Sequence, residues 1–206
     1  MDFIYLASQS PRRQALLQQI GVSFALLLPD AEEEAESLEA VLPNEMAQEY
    51  VMRVSLAKTQ AASVRLAQRQ LIDPSLPNAP ILCADTTVAL DQTILGKPQD
   101  ATDALAMLSR LAGRQHEVLT AVSVRRADGE VRQALSISQV HFRAATPAEL
   151  TAYIATGEPF DKAGAYGLQG KAAVFVEKVN GSFSGIVGLP LFETTNLLQW
   201  AGIKVM

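Results

Sequence analysis

Apolar positions along this chain keep two rhythms. Short unbroken runs, FIYLA at 3–7, VSFALLL at 22–28 and ILCAD at 81–85 continued by TTVAL, have the length of buried strands and are bounded by polar loop residues. Longer stretches repeat at helical spacing. Ser10 and Pro11 open one, with Leu16, Leu17 and Ile20 on its inner face and Gly21 as its stop. From Asn44 to about Gln70, Met46, Ala47, Tyr50, Val51, Val54, Ala57 and Ala61 mark a long helix, which the three prolines of DPSLPNAP at 73–80 end. TILGKPQD reads as a loop, after which Asp100 caps a helix ending near Gly113.

The second half opens with HEVLTAVSVRR and EVRQALSISQVHF around Ala127-Asp128-Gly129, a hairpin signal. Thr146-Pro147-Ala148-Glu149 has the spacing of a capping box and starts a helix that ends at Gly157. AAVFVEKV is a strand closed by Asn180-Gly181, and PLFETTNLLQW is helical. Strands and helices intermix and at least one strand pair is antiparallel. The expectation is an α/β fold with a mixed twisted sheet and flanking helices, in one domain spanning residues 1–206 without repeats or linkers.

Composition narrows the function. With 206 residues, 49% hydrophobic and 19% charged, the chain has ample material for a core. Its 17 basic and 22 acidic residues give a formal charge of -5, which argues against a general nucleic-acid binder. Cys83 is the single cysteine, so no intramolecular disulfide and no cysteine-based zinc site is possible. MDFIYLASQS lacks the basic-then-apolar order of a signal peptide, and no run of about 18 apolar residues marks a membrane span. A cytoplasmic protein that neither enters a membrane nor binds nucleic acid is expected.

The stretch ASQSPRR at 7–13 poses a problem. It places Arg12 and Arg13 in a helix's first turn, where the backbone amides already carry partial positive charge. An anion such as polyphosphate would turn that cost into a gain, with Ser8 and Ser10 as further donors. The alternative is two solvated surface arginines. Asp85 ends a buried run, where a rigid strand can aim a carboxylate into a cleft as proton acceptor or metal ligand; aspartates also end strands for local reasons. Lys58 and Lys97 are phosphate neutralisers or solvated charges, and Glu32, Glu33 and Glu34 are a magnesium ligand or a solvated loop. In DKAGAYGLQGKAA, Gly164, Gly167 and Gly170 would let backbone approach a ligand, beside the aromatic face of Tyr166 and the amide of Gln169. NGSFSGIVGLP is a second close-approach loop or a tight connection. His116 and His141 have no ligand cluster and read as ordinary strand residues. Neither a GxSxG elbow nor a GxxxxGK[ST] loop occurs.

Taken in order, ASQSPRRQALL, LCADTTV, LGKPQDATDA, DKAGAYGLQG and NGSFSGIVGLPLFET resemble the Maf family of nucleoside triphosphate pyrophosphatases over nearly the whole chain. The resemblance implies an inosine-triphosphatase-like fold, two lobes around a central cleft and a homodimer. It also implies cleavage between the α and β phosphates to a nucleoside monophosphate and pyrophosphate, with a divalent cation, Mg2+ or Mn2+. By position, Asp85 resembles the family's proton acceptor and Ser10, Arg12 and Arg13 its phosphate cradle; Glu33, Lys58 and Lys97 match other polar cleft positions, with Glu33 and Asp85 at the metal. Three consecutive glutamates leave the register of Glu33 open. Arg12, Thr86 and Gln169 match the group similar to dTTP/UTP pyrophosphatases, whereas the 7-methyl-GTP group carries tryptophan, glutamine and glutamate there. A glutamine amide can both accept from and donate to a uracil or thymine edge. A role in cell division through binding rather than turnover is associated with the family name and is the competing expectation. Cys83 stands where relatives often carry glycine or serine, and a buried structural thiol is expected there.

Overall fold

The computed structural model describes residues 3–30 and 35–205. Strands β1 (Phe3–Leu6), β2 (Ser23–Leu26), β3 (Ile81–Leu90), β4 (Thr93–Leu95), β5 (Gln115–Arg125), β6 (Val131–Phe142) and β7 (Val176–Asn180) form one sheet. Its order is β2-β1-β3-β5-β6-β7, with β4 paired to β3. β1 runs parallel to β2 and to β3, and the other pairs are antiparallel. Helices α1 (Pro11–Gln19), α2 (Ala47–Ile72), α3 (Ala101–Leu111), α4 (Pro147–Ile154), α5 (Phe183–Val187) and α6 (Leu191–Trp200) flank it. This is the mixed α/β sheet that the apolar pattern implies.

The helix starts follow from their sequence signals. Asp100 and Thr146 cap α3 and α4 by accepting from the backbone amides of Asp103 and Glu149. Glu149 returns the bond to the Thr146 amide at 2.7 Å, completing the capping box.

Side chains along β3 alternate between two environments. Cys83 packs against Ala62 and Leu66 of α2, and Ala89 packs beside Tyr50, Val51 and Val54 of the same helix. On the opposite face, Leu82 and Ala84 join a core with α1 and α6, whereas Val88 and Leu90 join a second core with α3 and α4. Between those two apolar cores lies a row of hydroxyls, Thr86 on β3, Thr120 on β5 and Ser136 on β6, paired across the sheet in that order. The two cores on one face of a continuous sheet are the physical content of the expected two lobes.

One edge of β3 is divided. β1 pairs it as far as Leu82, and β4 takes over at Val88, leaving residues 83–87 without a partner strand on that side among the described residues. Side chains of opposite parity therefore reach the same opening, and Asp85 and Thr86 do.

Several local expectations change. VSFALLL at 22–28 is not a buried strand: β2 is an edge strand bonded to β1 alone, and Ser23, Ala25 and Leu26 are exposed. The long helix begins at Ala47, not Asn44, which has a left-handed φ of 60°. TILGKPQD contains β4, reached through a two-residue turn in which Asp91 and Gln92 both have positive φ, 48° and 66°. That is the backbone of a tight hairpin without its usual glycine, so the turn signal was missing. Lys171–Phe175 is a 3-10 turn, and β7 starts only at Val176. The stretch after Gly181 carries α5, capped by Ser182.

His116 lies in the core between Phe142 and Tyr166, with ring centroids at 5.0 and 5.4 Å, and its Nε2 shares a 2.8 Å hydrogen bond with the Tyr166 hydroxyl. Burial lowers its pKa from 6.5 to about 4. Between those values the unfolded chain binds a proton that the folded chain refuses. The stability held above pH 6.5 therefore drains as pH falls toward 4, by up to about 3 kcal/mol. Urea denaturation at pH 7 and at about pH 4.5 is expected to show a smaller loss for His116→Gln than for the native chain.

Candidate active site

The opening at the divided edge of β3 leads into a cavity of about 400 Å³. Its walls come from the start of α1, from α2, from the loop after β4, from residues 161–169 and from the end of α5.

The α1 wall carries the positive charge. Pro11 has no amide hydrogen, and Ser10 Oγ accepts from the Arg13 amide at 3.5 Å. That leaves the Arg12 amide as the first-turn donor without a partner among the described residues. No acidic residue occupies this turn. The positive charge of this wall therefore comes from the guanidinium groups more than from the free helix amides that the sequence points to. Arg13 is half-buried and held at three nitrogens: Nε donates to the Gly188 carbonyl at 2.8 Å, Nη1 to Ser8 Oγ at 3.2 Å and Nη2 to Thr86 Oγ1 at 3.3 Å. All three acceptors are neutral, and among the described residues Arg13 has no ion-pair partner. Burial pulls its pKa below the ordinary value, against the field of Asp85 and with that of Arg12. A guanidinium stays charged regardless, so a carboxylate-free cationic site faces the cavity. Among the described residues, the ion-pair partner of Arg12 is Asp161, at 3.8 Å.

Lys58 on the α2 wall gathers the carboxylates, Asp85 from β3 and Glu39 from a 3-10 turn. Lys58 Nζ donates to Asp85 Oδ1 at 2.6 Å and to Glu39 Oε1 at 2.7 Å, while Lys97 meets Glu39 Oε2 at 3.4 Å. Asp85 is 6% exposed, its other oxygen not taken by Lys58. Burial pushes the Glu39 pKa up, but the charge and hydrogen bond of Lys58, then Lys97, outweigh it and hold the carboxyl below its usual range.

The cavity thus gathers Ser10, Arg12, Arg13, Lys58, Asp85, Thr86, Lys97 and Gln169 along its lining. Ser8 stands behind this surface, bracing Arg13 and accepting from the Ser10 amide at 3.3 Å. Glu33 lies outside the described residues. Glu39 is the acid that the sequence reading missed. It ends a 3-10 turn, Ala35–Glu39, and sits 19 positions from Lys58, a separation that no local pattern encodes.

The Maf-like protein family matches residues 3–201 of this chain. The chain belongs to that family. A dTTP/UTP pyrophosphatase of Burkholderia orbicola (strain AU 1054) is 60% identical over 201 residues, covering 97% of this chain and 93% of the relative. Another, of Cupriavidus metallidurans (strain ATCC 43123 / DSM 2839 / NBRC 102507 / CH34), is 57% identical over 202 residues and covers 98% of both. Among solved structures, a HAM1 protein from Coxiella burnetii overlaps 69% of this chain at a TM-score of 0.41 with 13% identity, covering 73% of that protein.

In the Maf-family stretch DKAGAYGLQG, Gly167 lines the cavity, and all three glycines also make close approaches within the protein. A Cβ on Gly164 would lie 2.9 Å from three atoms of Val88, on Gly167 2.8 Å from Lys162 Cε, and on Gly170 2.1 Å from Glu158 Oε1. The close approaches are to the protein's own β3, Lys162 and Glu158, and they seat the segment against the sheet so that Tyr166 and Gln169 reach the cavity. Gly164 also has a left-handed φ of 68°. Gly164→Ala combines that strain with a clash in a packed core, and a loss of about 2–4 kcal/mol is expected in urea denaturation.

Proposed function

We propose that this chain is a nucleoside triphosphate pyrophosphatase that hydrolyses dTTP and UTP to the nucleoside monophosphate and pyrophosphate. The observation that carries the reading is one cavity lined both by a cation without a carboxylate partner among the described residues, Arg13, and by a carboxylate fixed by a lysine, Asp85. A full-length relationship at 57–60% identity to proteins named for dTTP/UTP cleavage supports it.

Phosphoanhydride cleavage needs negative charge neutralised on the leaving pyrophosphate and a water aligned for attack. Arg12, Arg13 and Lys97 supply the first, and Ser10 adds a hydroxyl at the helix mouth. Asp85 supplies the second: Lys58 holds Oδ1, so Oδ2 takes the proton of the attacking water. Lys58 fixes the carboxylate in one rotamer and also links it to Glu39. In this reading residues on both cores serve one site, and the whole chain works as a single domain.

The donor set suits a divalent cation bound with its substrate. Asp85 and Glu39 are hard oxygen ligands, but Lys58 and Lys97 take both Glu39 oxygens and Lys58 takes Asp85 Oδ1, so an ion would enter at Asp85 Oδ2 and replace a lysine contact at Glu39; no group of three or more His, Cys, Asp and Glu side chains gathers among the described residues. Two carboxylates completed by phosphate oxygens and water match how Mg2+ is held at nucleotide sites. Asp85 and Glu39 would hold the ion, and it would lend Lewis acidity to the phosphate chain.

Of the positions tied to base preference, Arg12 and Gln169 both line the cavity, while the Thr86 hydroxyl is engaged with Arg13. Gln169 is the proposed reader of the pyrimidine edge, its exposed amide free to accept from N3–H and donate to a ring carbonyl. No helix among the described residues is long and apolar enough to cross a membrane, and the reading places the enzyme in the cytoplasm as a homodimer. Sedimentation of the purified protein tests the dimer.

Pyrophosphate release from dTTP, UTP, GTP and 7-methyl-GTP with Mg2+ or Mn2+ tests the activity; release from neither dTTP nor UTP refutes it. Asp85→Asn is expected to keep the circular dichroism spectrum and lose at least about a thousandfold in kcat. Gln169→Glu is expected to lower kcat/KM for dTTP and UTP by about tenfold or more, and equal rates before and after would remove Gln169 from base reading.

A further inference from the structure

The hydroxyl row that separates the two cores has a direction. Arg13 Nη2 lies 3.3 Å from Thr86 Oγ1, Thr86 Oγ1 lies 2.9 Å from Thr120 Oγ1, and Thr120 Oγ1 lies 2.8 Å from the Gly185 carbonyl. A guanidinium only donates and a carbonyl only accepts. Each hydroxyl has one proton. Thr120 must give its proton to Gly185, so Thr86 must give its own to Thr120, and Thr86 is left with lone pairs turned toward Arg13. The chain of donors runs one way, and each bond polarises the next. It also closes on itself: the Gly188 amide donates to the Gly185 carbonyl at 3.0 Å, and the Gly188 carbonyl accepts from Arg13 Nε. Gly188 adopts a φ of 122°, and a Cβ there would stand 3.6 Å from both Arg13 Nε and Thr86 Oγ1.

From this ring we infer that Thr120, fully buried and outside the cavity lining, is a positioning residue that aims Arg13 by fixing the proton of Thr86. The inference rests on the triphosphate reading of the cavity. Of the five N–H donors of Arg13, three are spent on Gly188, Ser8 and Thr86, and the remaining two, one on each terminal nitrogen, are presented to the phosphate chain. Removing the Thr120 hydroxyl leaves the Gly185 carbonyl satisfied by Gly188 but takes away the acceptor that orients Thr86. Thr86 then has no acceptor to fix and polarise its hydroxyl, and the third tether of Arg13 is weaker and no longer held in one direction. The role assigned to Thr86 follows: it acts on substrate through Arg13, with no proton of its own to offer a base or a phosphate.

The test compares the full-length protein with Thr120→Val, which keeps the shape, and Thr120→Ser, which keeps the hydroxyl. Two quantities are read: tripolyphosphate affinity by calorimetry in the presence of Mg2+, and exchange of the Arg13 Nε–H with solvent by nitrogen-15 NMR. Thr120→Val is expected to bind tripolyphosphate about tenfold more weakly and to exchange that proton about tenfold faster, with Thr120→Ser restoring both. In an Arg13→Lys background, Thr120→Val is expected to add little further loss. Unchanged Nε–H exchange in Thr120→Val overturns the inference whatever the affinity, and so does an affinity loss of full size in the Arg13→Lys background. If Thr120→Val and Thr120→Ser show the hydroxyl dependence while the native protein releases pyrophosphate from neither dTTP nor UTP, the proposed activity is refuted and this inference stands.

Discussion

A half-buried guanidinium with only neutral acceptors is the constraint around which the rest of the structure is arranged. Arg13 is bonded to a carbonyl and two hydroxyls, and desolvation works against its charge. A carboxylate at any of those three places would satisfy it and would also end its use, because the cavity would then face a neutral pair. The fold instead keeps Asp85 on the opposite parity of the same strand and gives it a lysine of its own. Cation and carboxylate thus remain separate while sharing one cavity.

That separation depends on β3. Were the strand paired along its full length on both sides, Asp85 would face α2 and Thr86 the other layer, with a continuous sheet between them. The handover from β1 to β4 opens the strand at residues 83–87, and both faces become accessible from the edge. Cys83, two positions before Asp85, packs on the α2 side, and burial raises its thiol pKa to about 11. It is an inert packing residue in a position where a thiolate would disturb the carboxylate.

How much of this the sequence discloses depends on whether a signal is local. Ser10-Pro11, Asp100 and Thr146 with Glu149 are neighbours that act on neighbouring amides, and each marks a helix start correctly. Ten-residue β3 is legible because burial on both faces demands apolar residues at both parities, which Ile81–Ala84 and Val88–Leu90 supply on either side of Asp85, Thr86 and Thr87. The failures are of two kinds. β4 escaped because its turn is built from Asp91 and Gln92 in a conformation that glycine or asparagine usually announces. Glu39 escaped because its meaning comes from Lys58 and Lys97, which are remote in sequence, and because a more conspicuous acidic run precedes it. The glycines of 164–170 were legible as close approaches; what they approach is set by tertiary packing, and it is the protein itself. The motifs in their order disclosed the family, and three-dimensional packing alone disclosed which side chains brace Arg13.

The five unpaired residues of β3 carry a consequence for solubility. Exposed strand edges recruit other chains, and proteins blunt them with charge, twist or cover. Here the open edge is short, sunk in a concavity and guarded by Arg12, Lys58 and Lys97, so a foreign strand can neither reach it nor lie flat against it. The chain can leave a strand edge unpaired beside a cavity without offering it to the edge of another sheet.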